Sequence, residues 1–333
     1  MEELQKKMKF MKLIDKHLFI NKKKVNQKDT IIIVGTPRSG STWLMEILET
    51  IPEYTYLFEP INPIYCPEAF NIGFKSRHYI AIDKDWPEAE EYLKRVFTGQ
   101  VFGHLDPYKL KYKVMRRRVF ADKLIVKFIK FNRMLPWASN RFQLRGKFFI
   151  IRHPCAVIAS QLKTDIFGYH PTSPPIKGIF PTHKQIIEEA SQIDFLDSSL
   201  LKKIKTYKTK EEMLAVVWCL DNLVPLTSPK PHPWTTVIYE KLVKDGKREI
   251  SRIFKEINEE IPESALKQLR EPSMLTMKSD EKYLENTNKQ LSKWKKYLSK
   301  KQISRILSIV EEFGLDFYNK DIEPDYSNKK IKY

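Results

Sequence analysis

No stretch of this 333-residue chain approaches the ~20 consecutive apolar residues that a membrane-spanning helix needs, so no transmembrane segment is expected. The opening "MEELQKKMKFMKLIDKHLFINKKKV" lacks an uninterrupted apolar core, and it is not expected to act as a secretory signal. Cysteine is scarce: Cys66, Cys155 and Cys219 are the only three. An odd number at wide spacings excludes a disulfide framework or a cysteine-based zinc site, and it suits a reducing, cytoplasmic setting. Internal repeats and low-complexity blocks are absent, and no domain boundary stands out. Acidic residues are in deficit, with 41 Asp and Glu against 59 Lys and Arg, a net charge of +18. That excess suits an anionic partner, whether nucleic acid, an acidic membrane, a polyanion or a charged cofactor. A solvated lysine-rich surface accounts for it equally, because the lysines are spread along the whole chain. No nucleic-acid motif or aromatic-basic stacking pattern is present, so no nucleic-acid partner is expected.

What is present is a core. Hydrophobic residues make up 42% of the chain and aromatics 12%, too much apolar material for wholesale disorder. Strand candidates are 30–35, 54–58, 124–129, 147–152 and 234–239, mostly continuous apolar runs of the kind found in buried parallel strands. Helical patterns at 41–49, 87–97, 154–162, 183–192 and 210–223 alternate with them. Helices are also expected at 245–258 and 291–313. The alternation predicts an α/β fold with three layers, helices on both faces of a central parallel sheet. Residues 1–27 read as a basic N-terminal segment, 28–320 as one domain and 321–333 as a tail. In the first segment Met8, Met11, Leu13, Ile14 and Leu18 share a helix face, suited to docking on the domain or to weak membrane-surface contact. The proline-rich loop "HPTSPPIKGIFP" (170–181) is either a gate for an acceptor or an ordinary surface connection.

The most informative stretch is "TIIIVGTPRSGSTWLMEIL" (30–48): strand, small-residue loop, helix. Gly35 and Gly40 have the separation of a Walker A loop, but Ser41 stands where the lysine of a nucleoside-triphosphate enzyme belongs. The cation lies inside the loop instead, as Arg38. Backbone amides of Ser39, Gly40, Ser41 and Thr42 are expected to face an anion at the positive end of the helix. Pro37 fixes φ before the turn, and Gly40 removes a side chain where an anion must approach. No strand ends in an aspartate suited to hold magnesium, so no metal is expected. A second stretch, "KFFIIRHPCAVIASQ" (147–161), ends a strand in Arg152 and places Ser160 eight residues on. Arg152, with its fork of donors, and Ser160 on the second helical turn are placed to share one dianion.

Together these two stretches resemble the sulfotransferases that use 3′-phosphoadenosine-5′-phosphosulfate (PAPS). "TPRSGSTWL" is similar to their 5′-phosphosulfate loop, and the Arg-to-Ser spacing to their 3′-phosphate motif. "WTTVIYEKL" (234–242) is similar to their Tyr-Glu-Asp-Leu segment, and the tail from Trp294 through Gly314–Tyr318 to their closing helix and Gly-Leu-x-x-Tyr. The likeness covers roughly residues 28–320 and is closer to carbohydrate-directed, tyrosyl-directed or bacterial members than to cytosolic phenol and steroid ones. It implies a P-loop nucleotide-binding fold and transfer of a sulfuryl group from PAPS to a hydroxyl of a carbohydrate or small-molecule acceptor, an acidic one included, with release of 3′,5′-ADP. It implies that Trp43 stacks on the adenine and that Tyr239 lies beside it, with Glu240 structural.

The resemblance also bears on the chemistry. Arg38 takes the position of a lysine in many members; an arginine essentially does not release its proton, so its role is electrostatic. For the base, Glu59 ends a strand in "YLFEPINP", where similar glutamates serve in carbohydrate- and tyrosyl-directed members. The histidine segment of the phenol and steroid enzymes is missing, and His104 in "FGHLDPY" is its nearest, poor counterpart. Lys127, Lys130 and Arg133 add cations at a third strand end; Lys130 or Arg133 is the one placed to meet an acidic acceptor or the bridging oxygen. Lys278 and Lys289 lie in a polar segment suited to close over the 3′-phosphate. Two other readings stay open: a P-loop nucleotide or small-molecule kinase, and a non-catalytic polyanion-binding protein.

Overall fold

The computed structural model describes residues 25–62, 66–101, 120–164, 182–276, 278–281 and 286–331. The N-terminal helix face, His104 and the proline-rich loop 170–181 lie outside the described residues. Five strands form one sheet: β1 (Thr30–Gly35), β2 (Tyr54–Phe58), β3 (Lys123–Phe128), β4 (Gly146–Ile151) and β5 (Thr235–Ile238), in the order β2-β3-β1-β4-β5. Every pairing is parallel. β1 is buried along its whole length, as its run of β-branched residues requires of a central strand. Its alternate residues serve different layers. Ile31 and Ile33 pack with α1 (Ser41–Leu48) and with residues of a later helix, Gly246–Glu256. Ile32 and Val34 pack with Pro87–Phe97, Pro154–Thr164, Lys210–Thr227 and Lys300–Glu312 on the opposite face. The fold is therefore the expected three-layer α/β arrangement with a P-loop. Among the described residues no helix is long and apolar enough to cross a membrane.

The chain leaves β1 toward β2 on one side and reaches β4 and β5 on the other. The strand order thus reverses between β1 and β4, and ligands in open parallel sheets bind in the crevice beyond the carboxyl ends at such a point. The register brings the tips level: Gly35 pairs with Ile150, and Ile151 with Ile238. Arg152 and Tyr239 follow directly, side by side.

Element ends differ from expectation in a few places. β5 stops at Ile238, and Tyr239 begins a short helix, α3 (Tyr239–Lys244), once α2 (Pro154–Thr164) is counted before it. The helix Lys210–Thr227 runs through Pro225, whose missing donor falls in its last turn. The helix expected over 291–313 is broken into Thr287–Ser292, Trp294–Tyr297 and Lys300–Glu312. Leu298 is extended, and Ser299 starts the last helix through a reciprocal capping box with Gln302.

The tail is tied to the sheet through one carboxylate. Glu240 is buried; it accepts the His153 N–H at 2.9 Å and the Tyr318 hydroxyl at 2.9 Å. The His153 ring stacks on Trp294 with centroids 4.6 Å apart. Glu240 therefore joins β4, β5 and the C-terminal Gly-Leu-x-x-Tyr. Glu240→Ala leaves two buried donors without partners and is expected to lower stability by about 2–3 kcal/mol. Urea denaturation checks this; an unchanged midpoint would mean the tail is held by other contacts.

Candidate functional site

The loop after β1 is shaped by two close approaches. A Cβ on Gly35 would lie 2.8 Å from the Ile150 carbonyl oxygen, so the strand tips can pack this tightly only with glycine. Gly40 has φ +98°, and a Cβ there would lie 2.5 Å from the Tyr239 ring. Arg38 is also left-handed, at φ 75°. These two turns bring the chain round to the start of α1, whose N-cap, Gly40, offers no side-chain hydrogen bond. The first amides of α1 are left facing the crevice at the positive end of the helix. Ser39 stands apart from the other loop residues. Its N–H donates to the Thr36 carbonyl at 3.0 Å and its side chain is buried behind the loop, so its amide does not face an anion as expected.

Arg38 reaches from the loop to its surroundings. Its Nε donates to Ser160 Oγ at 2.9 Å and its Nη2 to the Leu275 carbonyl at 3.3 Å. Burial, reinforced by the charge of Arg152, pushes the Arg38 guanidinium below its ordinary pKa. Arg152 donates from Nη1 to the Arg38 carbonyl at 3.1 Å, and its guanidinium lies 4.0 Å from the Tyr239 ring centroid. The Arg152 Nε is buried without a hydrogen-bond partner. A charged donor without a partner favours an anionic acceptor.

These groups open on one cavity of 340 Å³, within the roughly 300–1,000 Å³ usual for small-molecule sites. Pro37, Arg38, Gly40, Ser41, Thr42 and Trp43 line it from the loop and α1, and Arg152, Ser160 and Tyr239 from the other tips. Segments from 269–276 and 287–293 form the facing wall. Trp43 is pinned there by its Nε1, which donates to the Gln268 carbonyl at 3.3 Å. Tyr239 presents one ring face to Arg152, and its hydroxyl accepts from Gln290 Nε2 at 3.2 Å.

Glu59 is near this cavity but does not line it; Lys127 does. The Glu59 carboxylate is buried, with Lys127 Nζ at 3.1 Å and the Ile129 N–H donating at 3.1 Å. Lys127 Nζ lies 3.9 Å from the centroid of the Phe58 ring. Burial lowers the Lys127 ammonium from its usual pKa, with Glu59 opposing.

The other cations of the third strand end separate. Arg133 is fully buried in an ion-pair network with Asp221 at 2.9 Å and Glu189 at 3.0 Å, and it does not line the cavity, which corrects its placement as an acceptor contact. Lys130 is half-buried, is likewise outside the cavity lining and makes no ion pair among the described residues; burial, with Arg77 nearby, lowers it to about 8. Lys289 is exposed, away from the cavity lining, and the Lys278 side chain lies outside the described residues. Three lining or near-lining groups have no counterpart in the sequence reading: Asp280, Lys163 and Lys293. No local pattern marks them.

Several solved sulfotransferases are similar to this chain in layout. The sulfotransferase domain from the curacin biosynthetic pathway matches at 15% identity and a TM-score of 0.45, over 88% of this chain and 99% of its own. The sulfotransferase domain from the Synechococcus PCC 7002 olefin synthase matches at 18% identity and 0.41, over 88% and 96%. Mouse sulfotransferase SULT7A1, solved with PAP, matches at 14% identity and 0.43, over 88% and 87%. At these identities no residue role transfers to this chain. No family model matches the sequence, and no curated protein matches it.

The Lys127–Glu59 pair generates a stability prediction. Lys127→Met leaves a buried carboxylate unpaired and is expected to lower stability by ~3–5 kcal/mol. Adding Glu59→Gln removes the stranded charge and should recover most of the loss. A urea-denaturation cycle measures both, and a neutral single substitution would show that the two groups are not coupled in solution.

Proposed function

We propose that this chain is a PAPS-dependent sulfotransferase, moving a sulfuryl group to a hydroxyl of a carbohydrate or small-molecule acceptor. One observation carries the reading. Three segments far apart in sequence bring a P-loop-like cradle, the Arg152/Ser160 pair and an aromatic pair to the rim of a single cavity. A nucleotide with phosphates at both ends of its ribose needs that combination. The partnerless buried Nε of Arg152 fits such a group.

PAPS, when bound, supplies the sulfuryl group and a leaving 3′,5′-ADP. The residues do the rest. Amides of Gly40 to Thr42 and the Arg38 guanidinium stabilise charge on the leaving phosphate. Arg38 does so electrostatically, since it does not act as an acid. Lys127 lines the cavity within electrostatic reach of Arg38 and adds a second cation on that side. Arg152 and Ser160 hold the 3′-phosphate, and Trp43 with Tyr239 takes the adenine. Glu59 accepts the proton of the acceptor hydroxyl as that oxygen bonds to sulfur and the bond from sulfur to the leaving phosphate breaks.

The test is calorimetric titration with 3′,5′-ADP in the presence of a chelator, together with sulfuryl transfer from PAPS to pooled hydroxyl acceptors. Metal-independent binding supports the reading; no binding and no sulfated product would remove it. Arg152→Ala is expected to weaken 3′,5′-ADP by about 10- to 100-fold, the effect of losing a charge-assisted hydrogen bond. Equal affinity in the variant would contradict the pocket assignment. Glu59→Gln is expected to leave nucleotide affinity near the wild-type value and to reduce turnover by ~10²–10⁴. Full turnover in that variant would take Glu59 out of the base role.

A further inference from the structure

Glu59 is the carboxylate assigned to the acceptor's proton, yet its side chain is turned away from the cavity. Its backbone is left-handed, at φ 50°, and its N–H donates to the Lys127 carbonyl at 3.0 Å. The chain therefore folds back over the end of β3 as it leaves β2. Both carboxylate oxygens are engaged there. Oε1 accepts from Lys127 Nζ at 3.1 Å, and Oε2 accepts from the Ile129 N–H at 3.1 Å. Phe58, Lys127 and Ile129 line the cavity from these two strand tips, and Glu59 does not. A hydroxyl at that side of the cavity would therefore meet one of those three before it met Glu59.

Lys127 stands between the cavity and the carboxylate. Glu59 is the one hydrogen-bond partner of its Nζ among the described residues. The pair is almost dry, with side chains 2% and 4% exposed. Burial is the largest influence on the Lys127 ammonium and lowers it; Glu59 and Glu46 oppose this and Arg38 reinforces it. A lysine made less basic by burial is able to lose and regain a proton within a reaction. Arg38, the other cation on this side, is not.

We propose that Lys127 is the catalytic residue that meets the acceptor hydroxyl, and that the proton reaches Glu59 through its amine. The proposal rests on the sulfuryl-transfer reading above, and it replaces direct contact between Glu59 and the acceptor with a two-residue relay. Nζ first gives one proton to Glu59 Oε1 and becomes a neutral amine. Its lone pair then takes the hydroxyl proton as the acceptor oxygen bonds to sulfur. The bond from sulfur to the leaving phosphate oxygen breaks in the same step, and its electrons depart on 3′,5′-ADP. Lys127 ends as an ammonium and Glu59 as a neutral acid. The pair has gained one proton, which passes to solvent before the next turnover.

A relay and two separate roles differ in how losses combine. If Glu59 is the base and Lys127 only a cation, Lys127→Arg keeps the charge, and any loss it causes multiplies with that of Glu59→Gln. In a relay either substitution breaks the same proton path, so the second adds nothing. The experiment measures turnover with PAPS and pooled hydroxyl acceptors for the wild type, Glu59→Gln, Lys127→Arg and the double variant. Calorimetry with 3′,5′-ADP is run on each. Lys127→Arg is expected to lose ~10²–10⁴ in turnover, and the double variant no more than the larger single loss. Nucleotide affinity is expected to stay within a few-fold of the wild type throughout. Lys127→Arg with turnover near the wild-type value, or a double variant whose loss is the product of the two, would overturn the relay. Loss of nucleotide binding in Lys127→Arg would place the lysine in the nucleotide site and overturn it equally. If the wild type neither binds 3′,5′-ADP nor transfers a sulfuryl group, the sulfotransferase reading falls first, so the wild-type measurement tells the two failures apart.

Discussion

Concentrating positive charge at the tips of β1 and β4 is the constraint around which the rest of this structure is arranged. Arg38, Arg152, Lys163 and Lys293 approach one cavity, and like charges at close range in a partly dry site repel strongly. The chain answers with fixed partners for each. Arg152 rests on the Tyr239 ring and donates to a backbone carbonyl. Arg38 is held by Ser160 and by the Leu275 carbonyl. Asp280 lies between the lysines. None of these partners neutralises the whole cluster, and the remaining positive potential is what a doubly phosphorylated ligand would meet.

Holding cations in place requires a rigid frame behind them, and that explains features that touch no cavity atom. Glu240 follows Tyr239 and accepts the N–H of His153, the residue after Arg152. The same carboxylate accepts the Tyr318 hydroxyl. His153 is fully buried against Trp294, and burial, only partly offset by the Asn319 carbonyl, lowers its imidazole to about 3, so it stays neutral beside the arginine. The Trp294 and Tyr318 signals of the C-terminal third are therefore connected to the cation cluster by one relay of buried contacts. Tail and strand tips form one body.

How much of this was legible depended on whether the signal was local. β1 and the loop after it could be read because the glycines, the β-branched run and the helix start lie within one short stretch. Arg152 and Ser160 could both be placed at the cavity because strand-to-helix geometry fixes their separation, although the side chain that meets Ser160 there is Arg38. The resemblance of the Tyr239–Glu240 segment implies a structural place for Glu240, and its buried partners agree. By contrast Lys163, Asp280 and Lys293 come from three segments and meet only through tertiary packing. In the sequence each is one charge among many, as Lys278 and Lys289 are. Arg133 illustrates the converse: near Lys127 in sequence, it turns to the opposite layer, where Asp221 and Glu189 bury it. The break at Leu298 was hidden because an apolar period continues across it, while Ser299 and Gln302 decide the restart by capping.

An arginine at position 38 is better suited to this architecture than the lysine a nucleotide kinase places one helix turn away. A lysine would carry the charge but not the fork. From a left-handed backbone position, Arg38 sends Nε to Ser160 and Nη2 across the cavity to the Leu275 carbonyl, while its own carbonyl accepts from Arg152. One residue thus touches the loop, the helix that carries Ser160, the tip that carries Arg152 and the facing wall. The loop and the Arg152 and Ser160 side are consequently not independent: a group that pulled Arg38 toward the loop would disturb its contacts with Ser160 and Arg152. On the proposed nucleotide reading, binding at one end of the ligand would be felt at the other through a single side chain. A planar guanidinium with several fixed donors makes that coupling possible, and a lone ammonium would not.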